Sequence, residues 1–264
     1  MLHRLRIYAR YFDLVWEFVI RDLKGRYMGA SMGMFWTIIH PLVMILIYTL
    51  VFSRLMQAKL PGVSEVYGYS IYLCAGLLPW NAFGESVLRS TTAFIDNANL
   101  LKKAFIPKPL FLLYIQIVCI INMSISLAIF FVFLMLLGHW PTTSFLLIPV
   151  LIILQQTFAL GLGFLFSTIH VFIRDTVQLV GVIIQLWFWI TPIMYFEKIL
   201  PEIIKKYIFL NPWAIIARVY HDIIFLRVFP EYSPLIYFGI ITFVTLGLGM
   251  FVFQLLRKEI VDKL

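Results

Sequence analysis

Charge is scarce in this chain. Only 13% of its residues are Asp, Glu, Lys or Arg, where a soluble domain carries about 25%, and that shortage excludes an ordinary soluble fold. Cysteine is nearly absent, and Cys74 and Cys119 both fall inside apolar runs, which argues against a disulfide framework or a zinc site. No Gly-x-x-x-x-Gly-Lys-Ser/Thr stretch is present, so the loop that cradles nucleotide phosphates is missing. No His-Glu-x-x-His or paired-cysteine motif offers a metal site. Acids are also absent from the middle of the apolar runs. Glu85 sits near the end of one, beside Arg89 at i+4, and Asp175 stands at a junction next to Arg174. Ion-coupled transporters and intramembrane proteases need ionisable groups at mid-membrane. Only His40 lies well inside a run, next to Pro41, where a packed histidine at a helix kink is the commoner role. Whatever work this chain does, its energy comes from another chain.

Apolar residues are abundant, at 62% of the chain, with a mean hydropathy of +0.96. Uncharged stretches run from Tyr27 to Ser53, Val66 to Gly84, Pro109 to Ile173, Thr176 to Phe196 and Tyr232 to Leu256. A bilayer core of about 30 Å needs about 20 apolar residues in a helix. The third stretch is far longer than one crossing and is broken by the turn signal Gly138-His139-Trp140-Pro141-Thr142, so it reads as a two-helix hairpin. The expectation is an all-α membrane protein with six transmembrane helices, at about 34–55, 67–90, 109–137, 144–173, 176–196 and 232–256. Residues 1–33 form a cytoplasmic interface helix and the approach to span one, and residues 34–264 form the transmembrane domain.

Net charge is +8, which in a soluble protein would suggest nucleic acid. Here it reads as a surplus of cytoplasmic Lys and Arg. An inside N-terminus leaves only Arg54, Lys59, Lys198, Lys205, Lys206, Arg218 and Arg227 outside, out of 21 basic residues. Both termini are then cytoplasmic. Residues 1–26 are charged throughout and show no small-residue cleavage site, so they do not read as a signal peptide.

Three segments are not spans. Arg6, Arg10, Asp13, Glu17, Arg21 and Lys24 make one polar stripe on a helix over 3–24, an amphipathic helix lying in the cytoplasmic interface; a plain membrane anchor is the alternative. Residues 97–106 read as a short cytoplasmic helix, capped by Asp96 or Asn97 and stopped by Pro107 and Pro109. Its Leu100, Leu101 and Phe105, with Lys102, Lys103 and Asn99, suit docking to a cytosolic partner. Residues 197–231 are too polar to span yet too apolar for free solution. Asn211-Pro212 divides them into two short helices, with Arg218 and Asp222 paired at i, i+4. A re-entrant outer pair fits, because irregular backbone at that depth needs protein or a water-filled cavity around it.

Polar residues also mark two spans. Thr37, His40, Met44, Tyr48 and Phe52 share a face of span one, with Trp36 at its start, and Gln178, Gln185, Trp189 and Pro192 share a face of span five. Amides and aromatics together suit sugar rings. Such residues turn away from lipid, which serves helix packing as well as pore lining, and both uses stay open.

Arg21-Asp22-Leu23-Lys24-Gly25-Arg26-Tyr27, then Met32, Gly33, Trp36 and Pro41, resembles the approach to span one in type 2 ABC exporter permeases. Gly76-Leu77-Leu78-Pro79-Trp80-Asn81, Glu85-Ser86-Val87-Leu88-Arg89-Ser90, Asn97-Ala98-Asn99-Leu100-Leu101-Lys102-Lys103 and Phe105-Ile106-Pro107 extend it, as do Phe172-Ile173-Arg174-Asp175, Thr191-Pro192-Ile193-Met194-Tyr195 and Asn211-Pro212. In order and spacing these blocks are similar to the membrane subunit of bacterial polysaccharide exporters, the O-antigen, capsule and teichoic-acid group. The resemblance implies a non-enzymatic permease in the bacterial cytoplasmic (inner) membrane. It also implies a homodimer with two copies of a cytosolic ATPase that carries the ATP and Mg, and a polymer linked to undecaprenyl diphosphate. Arg10, Glu17 and Arg21 of residues 3–24, and Asn99 to Lys103 with Phe105, would then touch the ATPase. Asn211, Arg218 and Asp222 would belong to an outer gate. A rival class, an intramembrane glycosyltransferase or phosphotransferase, needs acidic metal ligands near a headgroup, and no such cluster is visible.

Overall fold

The computed structural model describes residues 2–26, 32–55, 67–103, 106–197, 200–208 and 210–264, and among these there is no strand. The helices are α1 (Leu2–Gly25), α2 (Trp36–Thr49, running on through a wide π-turn at Leu50–Leu55), α3 (Gly68–Asp96), α4 (Ala98–Lys103), α5 (Pro109–Leu136), α6 (Ile148–Phe172, preceded by a tight turn at Thr143–Leu147), α7 (Thr176–Ile190), α8 (Glu202–Ile208), α9 (Pro212–His221, with a π-turn at Asp222–Leu226), α10 (Tyr232–Leu256) and α11 (Ile260–Lys263).

Four stretches among the described residues are long and apolar enough to cross a membrane: Trp36–Ser53, Pro109–Leu136, Thr143–Phe172 and Tyr232–Leu256. α7 is apolar but has only 15 residues. α3 has 29 residues, about 44 Å of helix at 1.5 Å per residue. Its lower apolarity has a structural reason. From Gly68 to Phe94 it is buried on nearly every side, so neighbouring helices rather than lipid surround its small and polar positions. Its contacts run to α2, α5, α6, α7 and α9, making it the axis of the bundle.

The hairpin expected at Gly138 is present. The amide of His139 donates to Leu134 and that of Gly138 to Met135, with Gly138 at φ +84°, the left-handed glycine stop that ends many helices. α6 and α10 form the closest pair. A Cβ on Gly249 would lie 2.2 Å from the carbonyl oxygen of Gly161, and one on Gly161 would lie 2.7 Å from the Leu246 amide nitrogen. Small residues that let backbones touch are the usual glue between helices in lipid.

α1 does more than lie in an interface. Its Val15, Phe18 and Val19 are buried against α5, with the Phe18 ring 5.4 Å from Phe111 and 5.6 Å from Tyr114. Phe12 and Trp16 stay exposed, and so do Arg10, Glu17 and Arg21 on the polar stripe.

Candidate functional site

Between α2, α3 and α5 lies a cavity of about 310 Å³. Thr37, His40 and Met44 enter it from α2, Asn81 and Glu85 from α3, and Asn122 and Ser126 from α5, with Arg26 at one end. Carboxamides and hydroxyls are costly against hydrocarbon; the Ser126 hydroxyl donates to the Asn122 backbone carbonyl, and the lining as a whole suits water or a polar ligand. The sequence pattern anticipated Thr37 and His40 as lining. It missed Asn81, Asn122 and Ser126, although a signal existed: Asn81 with Glu85, and Asn122 with Ser126, stand four apart and so share one face of their helices.

At the Arg26 end, four charges form a closed ring. Arg26 pairs with Glu85, and its Nε lies 3.4 Å from Asp22; Arg89 donates to Asp22 at 2.7 Å and lies 3.6 Å from Glu85. The i, i+4 pair Glu85–Arg89 is thus half of a larger latch, and Asp22 and Arg26 fasten the end of α1 to α3. Their mutual attraction offsets part of what these charges lose in hydration, and removing one strands its partners. Deeper between α3 and α5, the Ser86 hydroxyl donates to Gln116 at 2.6 Å and the Gln116 amide to Ser90 at 3.0 Å, a fully buried polar tie.

The stripe on α7 is open. Gln178, Gln185 and Trp189 are all exposed in the protomer, and Val180 and Ile184 form the buried edge of that helix. Trp189 is 61% exposed and its ring meets that of its neighbour Phe188 at 5.4 Å. Trp187 is the packed tryptophan, 5.6 Å from Phe83, 6.1 Å from Trp80 and 6.2 Å from Phe158. On α2 and its π-turn, Trp36 is exposed and Tyr48 and Phe52 are half-buried, with Phe52 5.3 Å from Tyr69.

The segment expected to dock a partner needs correction. α4 ends at Lys103, and Phe105 lies outside the described residues. Leu101 does not offer an exposed anchor. It is buried in the same cluster as Phe94 and Ile260, because the short helix folds back onto α3 and α11 of its own chain. Asn99, Lys102 and Lys103 are exposed and Leu100 is half-buried. Neither expected cap works through its side chain: Asn97 donates to the Ala93 carbonyl at 2.8 Å and Asp96 accepts from Thr92 at 2.6 Å, so both finish α3.

In residues 197–231 two short helices, α8 and α9, meet at Asn211-Pro212 as the dipeptide suggests. The Asn211 side chain accepts from the Trp213 amide at 3.0 Å and the Trp187 indole at 2.7 Å, and donates to Thr191 at 2.9 Å. It is an N-cap and also a rivet between α9 and the end of α7. The expected Arg218–Asp222 pair is not the one formed. Arg218 forks onto Glu197, with Nε to Oε2 at 3.0 Å, because bidentate carboxylate geometry is available from the loop and not from one turn along the same helix. α9 is embedded, with Trp213, Ile216 and Tyr220 inaccessible, and the Tyr220 hydroxyl donates to Gln155 of α6 at 3.2 Å.

Comparison with known proteins follows this geometry. Residues 13–225 match the ABC-2 type transporter family. The chain is 29% identical to the O-antigen export system permease protein RfbA of Myxococcus xanthus over 100% of both chains. It is 31% identical to the protein of that name from Klebsiella pneumoniae over 91% of each. It is 20% identical to the polysialic acid transport protein KpsM of Escherichia coli, over 89% of this chain and 90% of that one. A match across most of the bundle, with relatives aligned over nearly their whole length, means that this chain belongs to the ABC-2 type transporter membrane family.

Proposed function

We propose that this chain is the permease subunit of an ATP-powered exporter that moves lipid-linked polysaccharide of the O-antigen type out across the bacterial cytoplasmic membrane. The observation that carries the reading is the polar cavity between α2, α3 and α5, set inside a largely apolar bundle and lined by Thr37, His40, Asn81, Asn122 and Ser126. Carboxamides and hydroxyls, with Glu85 and Arg26 engaged in the ion-pair ring at one end, suit a hydrated polymer that must bind weakly at many points. The O-antigen permeases share about a third of its residues over nearly full length. Export of capsule or teichoic acid is the second reading, and the 20% identity to the polysialic acid transporter supports it less.

In this reading α3 and α7 join the four apolar helices to make six spans with both termini inside, and the Thr191–Tyr195 bend completes the short crossing of α7. Two permeases pair, two copies of a cytosolic ATPase bind beneath them, and ATP with Mg stays on that partner. Exposed Arg10, Glu17 and Arg21 on α1, with Asn99, Lys102 and Lys103 on α4, form the docking surface. The polymer arrives on undecaprenyl diphosphate. The outer helices α8 and α9 close the path when it is empty.

The test is complementation. In a host lacking its own O-antigen permease, this chain expressed with its ATPase should restore polysaccharide on intact cells, detected by antibody. The pair Asn81→Leu and Asn122→Leu should instead leave lipid-linked polymer inside. Surface polysaccharide that persists without this chain overturns the proposal.

A further inference from the structure

A second cavity, of about 390 Å³, opens where α3, α9 and the loop after α7 meet. That size falls within the roughly 300–1,000 Å³ of small-ligand pockets. Its walls are aromatic. Tyr72 stacks on His221 with centroids 3.7 Å apart, and Phe196 and Phe225 stand 5.5 Å and 5.6 Å from the Tyr72 ring. Its charged groups are balanced: Glu197 and Asp222 against Arg218 and Lys205.

Their engagement differs. Glu197 and Arg218 are committed to each other in the bidentate fork, and Lys205 pairs with Glu202 at 2.8 Å. Asp222 makes no ion pair among the described residues, and its half-buried carboxyl faces the cavity. Burial raises its pKa, against the pull of Arg218. The buried Nε2 of His221 also has no hydrogen-bond partner among the described residues.

The chemistry narrows the ligand. A lipid tail would leave the fork and Asp222 facing hydrocarbon. A phosphate or uronate would meet a site with no net positive charge and with Asp222 beside it. A neutral sugar offers both things the cavity asks for, apolar ring faces for Tyr72 and Phe225, and hydroxyls for Asp222 and the outer lone pairs of the fork. We propose that this cavity is a subsite for neutral sugar units of the exported chain, with Asp222 as its free acceptor and Tyr72, Phe196 and Phe225 as its stacking surface. The proposal rests on the export reading and adds to it a point of contact away from the α2–α3–α5 cavity.

The experiment is saturation-transfer NMR on the full-length chain in nanodiscs, with a mannan tetrasaccharide and a dextran tetrasaccharide as neutral probes and tetragalacturonate as the anionic one. At least one neutral probe should receive saturation and the anionic probe should not. Asp222→Ala should weaken that binding roughly tenfold, the usual loss for one hydrogen bond to a charged acceptor. Asp222→Asn should recover part of it, and Asp262→Ala, at the far end of the chain, should change nothing. Thermal midpoints of the variants separate a lost contact from a lost fold. Silence from both neutral probes, preference for the anionic one, or equal signals in wild type and a folded Asp222→Ala overturns the subsite. The export reading fails separately, if cells without this chain still display polymer.

Discussion

Gly249→Ala tests whether α6 and α10 are held by backbone contact. The added methyl would sit 2.2 Å from the Gly161 carbonyl oxygen and 3.1 Å from its carbonyl carbon, where ordinary contact begins at 3.4 Å. The neighbour is backbone, so no rotamer can yield, and the helices must part by about 1.2 Å, the difference between 3.4 and 2.2. Overpacking of this kind costs about 1–3 kcal/mol, and in a chain of this size each kcal/mol moves Tm by about 2–4 °C. A fall of roughly 2–12 °C is therefore expected for purified protein, read as loss of the monodisperse peak on size exclusion after stepwise heating. Gly247 supplies the comparison, since it lies on the same helix with nothing within 4 Å of its would-be Cβ. Gly247→Ala should be neutral or slightly stabilising, through better helix propensity. Equal midpoints for the two variants would refute the argument that Gly161 and Gly249 set the spacing of this pair.

Three further outcomes follow from the site. Cysteines at Gln185 and Trp189, introduced one at a time, should react with a water-soluble thiol reagent in active transporter, whereas cysteines at the buried Val180 and Ile184 should stay silent; no reaction at either exposed position would mean that this face meets lipid or another subunit. Glu85→Arg should abolish surface polymer by setting a third positive charge against Arg26 and Arg89, and Arg26→Glu in the same chain should restore part of it; failure of the double variant to gain anything would show that the ring is not a pairwise latch. Lys102→Glu with Lys103→Glu should lower export-coupled ATP hydrolysis in reconstituted vesicles without lowering expression, whereas Leu101→Ala should lower expression first, by about 2–5 kcal/mol of lost core packing; a well-expressed, uncoupled Leu101→Ala would restore that leucine to the docking surface.

Much of the bundle was legible because hydrocarbon imposes simple rules. Uninterrupted apolar runs located the helices, Gly138 located the hairpin turn, and Asn211-Pro212 located the start of α9. The facing of each helix was less legible. α7 is apolar all round, so periodicity marked the Gln178, Gln185 and Trp189 stripe without saying that Val180 and Ile184 form its packed edge. Trp187 and Trp189 are chemically identical in the sequence, yet one sits in the aromatic core with Trp80 and Phe83 and the other is open. Local rules also failed where a distant partner won. Arg218 has Asp222 one turn away, but Glu197 offers a two-pronged carboxylate from a loop. Leu101 read as an exposed anchor because a six-residue helix reveals nothing about α3 and α11, which it packs against.

The division of the core says which elements can move. One cluster joins α1, α4, α11 and the first half of α5, and the other joins α2, α7, α9 and the second half of α5. α3, α5, α6 and α10 place buried side chains in both clusters: Ala93 and Val87 from α3, Cys119 and Met123 from α5, Phe164 and Phe158 from α6, Phe253 and Phe238 from α10. These four helices form a frame, and shifting one of them disturbs both halves at once. α2 and α7 belong to one cluster only and expose most of their surface, so they carry few of the contacts that make a packed core resist displacement. A path that must open wide enough for a polymer and then reseal has to be lined by elements that can move without breaking the frame. α2 and α7 meet that requirement, and they are also the helices whose sequences carry His40, Tyr48, Gln185 and Trp189. Asp22 and Arg26, at the end of α1, hold onto Glu85 and Arg89 of the frame, so α1 is tied by charge to the frame helix that α2 packs against.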